Sequence, residues 1–148
     1  MPGHSLREQI LQAVLAVVGP AARDFGAGVH RSPTTALSRE QCPALAVFAE
    51  SDVISERAND RLTRELTLRL VALARSVPPT AAETEADRLL VAAHAALMRD
   101  PNLGGLALAI REMDCEWDVE EADAVVAAIP GRYRITYRTL VHDLSLQG

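Results

Sequence analysis

The spacing of apolar and polar residues divides the chain into seven elements. Leu6, Ile10, Ala13, Val14 and Val17 recur at intervals of three and four, which predicts a helix with one buried face. Ser5 and Glu8 read as a capping box at its start, hydroxyl to amide one way and carboxylate to amide the other. Gly19-Pro20 is predicted to end the helix, because proline cannot continue the ladder. Asp24–Val29, short and interrupted by glycine, reads as an edge strand. Ala44–Ala49 is a continuous apolar run behind Pro43, consistent with a central strand. Glu50–Asp60 is polar and reads as turn.

A two-residue period follows. Leu62, Leu66, Leu68 and Leu70 point one way, and Thr63, Glu65, Thr67 and Arg69 the other, which predicts a strand. Val77-Pro78-Pro79 breaks it. Thr80 and Glu83 read as a second capping box, opening a helix whose stripe is Ala86, Leu89, Leu90, Ala93 and Leu97 and whose end is Asp100-Pro101. Leu103-Gly104-Gly105-Leu106 is a tight connection into residues 106–120, which alternate again. Met113, Cys115, Trp117 and Val119 oppose a row of acids there. In the last strand Tyr133, Ile135, Tyr137 and Thr139 oppose Arg132, Arg134, Thr136 and Arg138. An acidic-faced strand beside a basic-faced one suits an antiparallel hairpin. The order helix, three strands, helix, two strands predicts an α+β fold: an antiparallel or mixed sheet of about five strands with two helices on one face.

The composition narrows the function. A chain of 148 residues with 49% hydrophobic content is expected to form one domain, residues 1–148, with a real core. The formal charge of −5 and 3% aromatic content argue against nucleic-acid binding. The apolar run Ile10–Val18 is far short of the roughly 20 residues that span a bilayer, so no membrane partner is expected. Without a signal peptide, folding in a reducing cytoplasm is expected, with Cys42 and Cys115 as small buried thiols.

No constellation of catalytic, cofactor-binding or metal-binding residues stands out. Gly104-Gly105 lacks the lysine and hydroxyl residue of a phosphate loop, and no serine sits in a nucleophile elbow. His4, His30, His94 and His142 stand at no ligand spacing; His94 reads as a boundary side chain. The acids from Glu112 to Asp123 contain no turn glycine for a calcium loop. On a strand, alternate carboxylates stand roughly 7 Å apart, too far to share one ion. A solvated or partner-facing ladder is the better reading, and the lone Trp117 opposite it reads as core.

The first helix, Val29-His30-Arg31 with Pro33, Pro43 before an apolar strand, the helix end Asp100-Pro101-Asn102, the Leu103–Leu106 turn, Glu116-Trp117 and the closing Tyr133-Arg134-Ile135-Thr136-Tyr137-Arg138-Thr139 strand form a pattern. It resembles the tail terminator proteins of long-tailed bacteriophages, the minor tail protein U type and wider tail completion group. The resemblance spans nearly the whole chain. One departure is that the sequence ends soon after Val141-His142-Asp143, without a longer family tail.

The resemblance implies a structural protein, not an enzyme, that forms a hexameric ring on the finished tail tube of a phage or prophage. The ring stops tube polymerisation and presents a surface to the head. Its partners would be its own copies, the tail tube protein and a head completion protein, and its place the virion tail after assembly in the host cytoplasm. Alternatives are a head–tail connector or neck protein, or a small ligand-binding or enzymatic α+β domain.

A ring requires one surface patch to fit a different patch on the neighbour. The candidate patches are an Arg64/Arg69 face and the ladder Glu112, Asp114, Glu116 and Asp118, unless these charges pair within one sheet. The loop Arg31–Cys42, which includes Arg39, is long for a compact domain and is the candidate contact with the tube or adjoining copy.

Overall fold

The computed structural model describes residues 3–76, 81–117 and 126–148. Chain order runs α1 (Leu6–Phe25), β1 (Gly28–Arg31), β2 (Ala44–Ala58), β3 (Arg61–Arg75), α2 (Ala82–Met98), β4 (Ala109–Met113) and β5 (Val126–Leu140). Single turns of 3-10 helix occupy Arg39–Gln41 and Leu103–Gly105. The five strands form one sheet in the order β1-β2-β3-β5-β4, with β1 parallel to β2 and every other pair antiparallel. The predicted α+β architecture is the one observed.

The centre of the sheet is β3 against β5, paired without interruption from Arg61↔Leu140 to Arg75↔Val126. The period of two then sorts side chains into two faces. Leu66, Leu68, Leu70 and Ala72 of β3 and Ile129, Tyr133, Ile135 and Tyr137 of β5 join Leu45, Val47 and Ile110 beneath the helices. From α1 this layer receives Ile10, Val14, Val18 and Ala22; from α2 it receives Ala86, Leu89, Ala93 and Leu97. Leu90, assigned to the α2 stripe from sequence, is half-buried at its margin.

Several boundaries differ from the sequence reading. The first helix runs through Pro20 to Phe25 and stops at Gly26, whose φ of 90° suits glycine. Pro20 removes the hydrogen bond to the Ala16 carbonyl, but both residues are exposed, so water can take that carbonyl. Buried Val18 and Ala22 hold the helix on the sheet past the proline. Consequently the expected strand at Asp24–Val29 starts only at Gly28.

The loop after β1 has a topological cause. Because β1 and β2 run parallel, the chain must return the length of a strand before β2 begins, and parallel neighbours need about a dozen connecting residues. Length alone is therefore no sign of function there.

The polar segment read as turn is strand. β2 continues to Ala58, and the turn shrinks to Asn59-Asp60, with Asn59 at φ 56°. Its ladder to β3 has register shifts at Ala49/Ser51 and Ile54/Glu56. On the other side, β4 is only five residues long, so the alternation beyond Met113 is not strand among the described residues. The α2 N-cap is Ala81, without a side-chain cap; Thr80 and Val77-Pro78-Pro79 lie outside the described residues. No helix among the described residues is long and apolar enough to cross a membrane.

Candidate assembly surfaces

The face of the sheet opposite the helices is the most distinctive surface. The ladder places Arg61, Arg69 and Arg75 of β3, Arg132, Arg134 and Arg138 of β5 and Arg111 of β4 on that side. Among the described residues only Glu50, Glu56 and Glu65 answer them, from β2 and β3. Acids outnumber arginines by 20 to 15 in the whole chain, yet on this face the arginines dominate.

Local packing explains how these cations coexist. Arg69 and Arg132 stand directly opposite each other, an arrangement that like charges disfavour. The bulged residue Glu50 bridges them, accepting from Arg69 Nε at 2.6 Å and from Arg132 Nε at 3.1 Å. The Arg69 hydrogen bond, more than that of Arg132, holds the Glu50 carboxyl below the usual carboxylate range. Arg134 approaches Glu65 at 3.4 Å, and Arg138 donates to the Thr63 hydroxyl at 3.2 Å.

The expected charge match between the last two strands is absent. Register pairs Glu112 with Tyr133 and Met113 with Arg132, while Arg111 faces Arg134. Glu112 meets a tyrosine and no arginine, because the pairing is offset by one residue from the alignment that would set acids opposite arginines, and such an offset moves every side chain to the other face. Asp114 and Glu116 lie beyond β4 and are exposed; Asp118, Val119, Glu120, Glu121 and Asp123 lie outside the described residues. Trp117, expected in the core, is 65% exposed.

Arg64 and Arg69 do not form one face. They are five residues apart on a strand, so an odd offset sends them to opposite sides. Arg64 lies on the helix side, half-buried, donating from Nε to the Thr139 hydroxyl at 3.0 Å. With Ser5, Arg7, Tyr137 and Leu144 it lines a shallow, open depression of about 50 Å³ at the start of α1. Beside it lies Asp52, whose Oδ2 accepts from the Tyr137 hydroxyl and, at 3.1 Å, from Arg7. The Asp52 Oδ1 is buried and without a hydrogen-bond partner among the described residues. Burial and then the Asp52 hydrogen bond push the Tyr137 phenol above its ordinary range.

Arg31 ends β1 and forms a two-pronged pair with Glu8 of α1, at 2.6 and 2.7 Å. The capping box is thus half formed: Ser5 accepts from the Glu8 amide, but the Glu8 carboxylate goes to Arg31 and Gln12. Chiefly through the Arg31 bond, Glu8 falls from its usual 4.5 to about 2. A depressed carboxylate stabilises the fold above its ordinary pKa and loses that effect as pH falls toward the lowered value. Arg31→Gln is therefore expected to cost less than about 1 kcal/mol at neutral pH, since the pair is exposed. The gap from the native protein should stay constant above about pH 5 and close on acidification. Urea titrations across that range check it; a gap that widens in acid would contradict the assignment. Arg39 opens the 3-10 turn of the loop and is exposed.

His94 and the two cysteines complete the candidates for chemistry. His94 Nδ1 meets the Tyr133 hydroxyl at 2.8 Å, half-buried on α2, as a boundary side chain would. Cys42 lies buried before β2, as expected, but Cys115, past the end of the short β4, is only half-buried; both are free. Burial pushes the Cys42 thiol up. No three His, Cys, Asp or Glu side chains among the described residues converge as a metal site. Comparison with protein-family models and with curated proteins gives no match.

Glu50, Asp52 and Arg111 escaped the sequence reading. The first two fall in the stretch read as turn, and Arg111 falls in the strand read as acidic. Their signal was available only through pairing partners far along the chain.

Proposed function

We propose that this chain is a ring-forming tail terminator of a bacteriophage or prophage. Its copies close on the end of the tail tube, stop further subunits from adding and offer the head a surface to join. The observation that supports this reading is the division of charge: an arginine-dominated sheet face on a chain that is acidic as a whole. A closed ring needs two unlike patches on each copy that fit one another, and such a division supplies them. The sequence resemblance supplies the context of a tail. Partners in this reading are further copies, the tube protein and a head completion protein; no step of chemistry is required of it.

Two patches replace the single pairing drawn from sequence. Since Arg64 and Arg69 face apart, one docking surface cannot use both. Arg69 remains with the open face, and Asp114 and Glu116 remain exposed acids that a neighbour can reach.

The purified protein, alone and mixed with isolated tail tubes, is expected to give closed hexameric rings in negative-stain electron micrographs, with ring mass by light scattering. Deleting its gene from a productive phage is expected to give tails of unregulated length. A protein that stays monomeric and leaves tube ends unoccupied sinks the proposal.

A further inference from the structure

Where β4 meets β5, the open face holds two guanidiniums, Arg111 and Arg138, that form no ion pair with an acid among the described residues. Arg111 stands directly opposite Arg134 in the ladder. It forms no ion pair or hydrogen bond with a described residue, whereas Arg134 reaches back to Glu65 on β3. Further along β5, Arg138 has the Thr63 hydroxyl as partner and no carboxylate among the described residues. Like charges set directly across a ladder oppose each other, so carboxylates arriving from outside would stabilise this corner of the sheet.

The chain displays the complementary group a few residues away. Past the end of β4, Asp114 and Glu116 are exposed, and the Trp117 indole that follows is 65% exposed. A large aromatic ring left mostly in water beside acids has apolar surface that a partner can still cover. Arginine and tryptophan are the side chains that dominate interface energies, and a guanidinium lies well against an indole face.

We propose that the Asp114–Trp117 segment of one copy seats on the Arg111, Arg134 and Arg138 surface of the next. Its carboxylates pair with the guanidiniums, and the indole lies flat against them. Donor segment and receiving surface are different patches, so the contact runs head to tail and can close a ring. The inference rests on the ring reading and specifies which surfaces meet.

The chain contains one tryptophan, so its fluorescence reports this residue alone. With the full-length protein, light scattering and emission are followed together as concentration rises, with and without tail tubes. The emission maximum is expected to move to shorter wavelength in step with the rise in mass. Trp117→Ala, Glu116→Arg and Arg111→Glu are each expected to raise the midpoint concentration of assembly about tenfold. All three sites are exposed, and circular dichroism should show the native fold. Combining Glu116→Arg with Arg111→Glu restores the opposite charges and should recover assembly that either change alone removes.

Assembly with unshifted emission, or a double variant no better than the singles, overturns this contact while leaving the ring reading intact. Emission that shifts only when tube ends are present makes the tube the occupant, and likewise overturns it. No assembly under any condition overturns both.

Discussion

Leu68→Ala is expected to lower the free energy of unfolding by about 3 kcal/mol, within the range of 2–5 for buried leucines. Leu68 is fully buried on the central strand, between Ala49 of β2 and Tyr133 of β5. Neither neighbour can fill the space left behind: alanine is too short, and the Tyr133 hydroxyl is engaged by His94. Such a loss is a large part of the roughly 5–15 kcal/mol that holds a domain together. It should lower Tm by about 6–12 °C for a chain of this size. Val71→Ala, three residues along and on the open face, is expected to cost no more than about 1 kcal/mol. Urea unfolding of both variants tests the assignment of faces. Equal costs would mean that the helices do not cover the side of the sheet described.

The second large effect concerns Asp52 and Tyr137. Tyr137→Phe removes one of the two donors to a carboxylate whose side chain is only 9% exposed. One of its oxygens already lacks a partner. Leaving a buried charge less satisfied is expected to cost about 2 kcal/mol. Asp52→Leu alone strands the Tyr137 hydroxyl, and should cost about 1–3 kcal/mol. Removing both polar groups leaves neither buried group unsatisfied, and the exposed Arg7 returns to water, so Asp52→Leu/Tyr137→Phe should come within about 1 kcal/mol of the native protein. A double-mutant cycle by chemical denaturation measures this directly. Strict additivity of the two losses would refute the coupling.

How much of this was legible in the sequence depends on where each side chain sits. The leucines of β3 and the Tyr133–Thr139 alternation announced their strands, because one face meets the core and the other does not. The helical stripes were legible for the same reason. Glu50–Ala58 was not, since all of it but Asp52 is exposed and backbone pairing with β3 makes it a strand. Pro20 misled because a helix end was inferred from a missing hydrogen bond, while burial of Val18 and Ala22 outweighed it. The charged surfaces depended on register, which joins residues such as Glu50 and Arg132 that lie far apart in the chain. Composition carried the signs of the charges but not which of them share a face.

The outer margin of β2 has a further consequence. β1 covers only Ala44–Val47, and no other described strand lies along the remainder of that border, which leaves a row of amides and carbonyls without a ladder partner there. Such a border invites any extended chain to add itself, and copies joined that way would grow without limit. The two irregular steps at Ala49/Ser51 and Ile54/Glu56 twist and interrupt the border, denying a straight template to a newcomer. Filament formation by strand addition along this border is thereby discouraged.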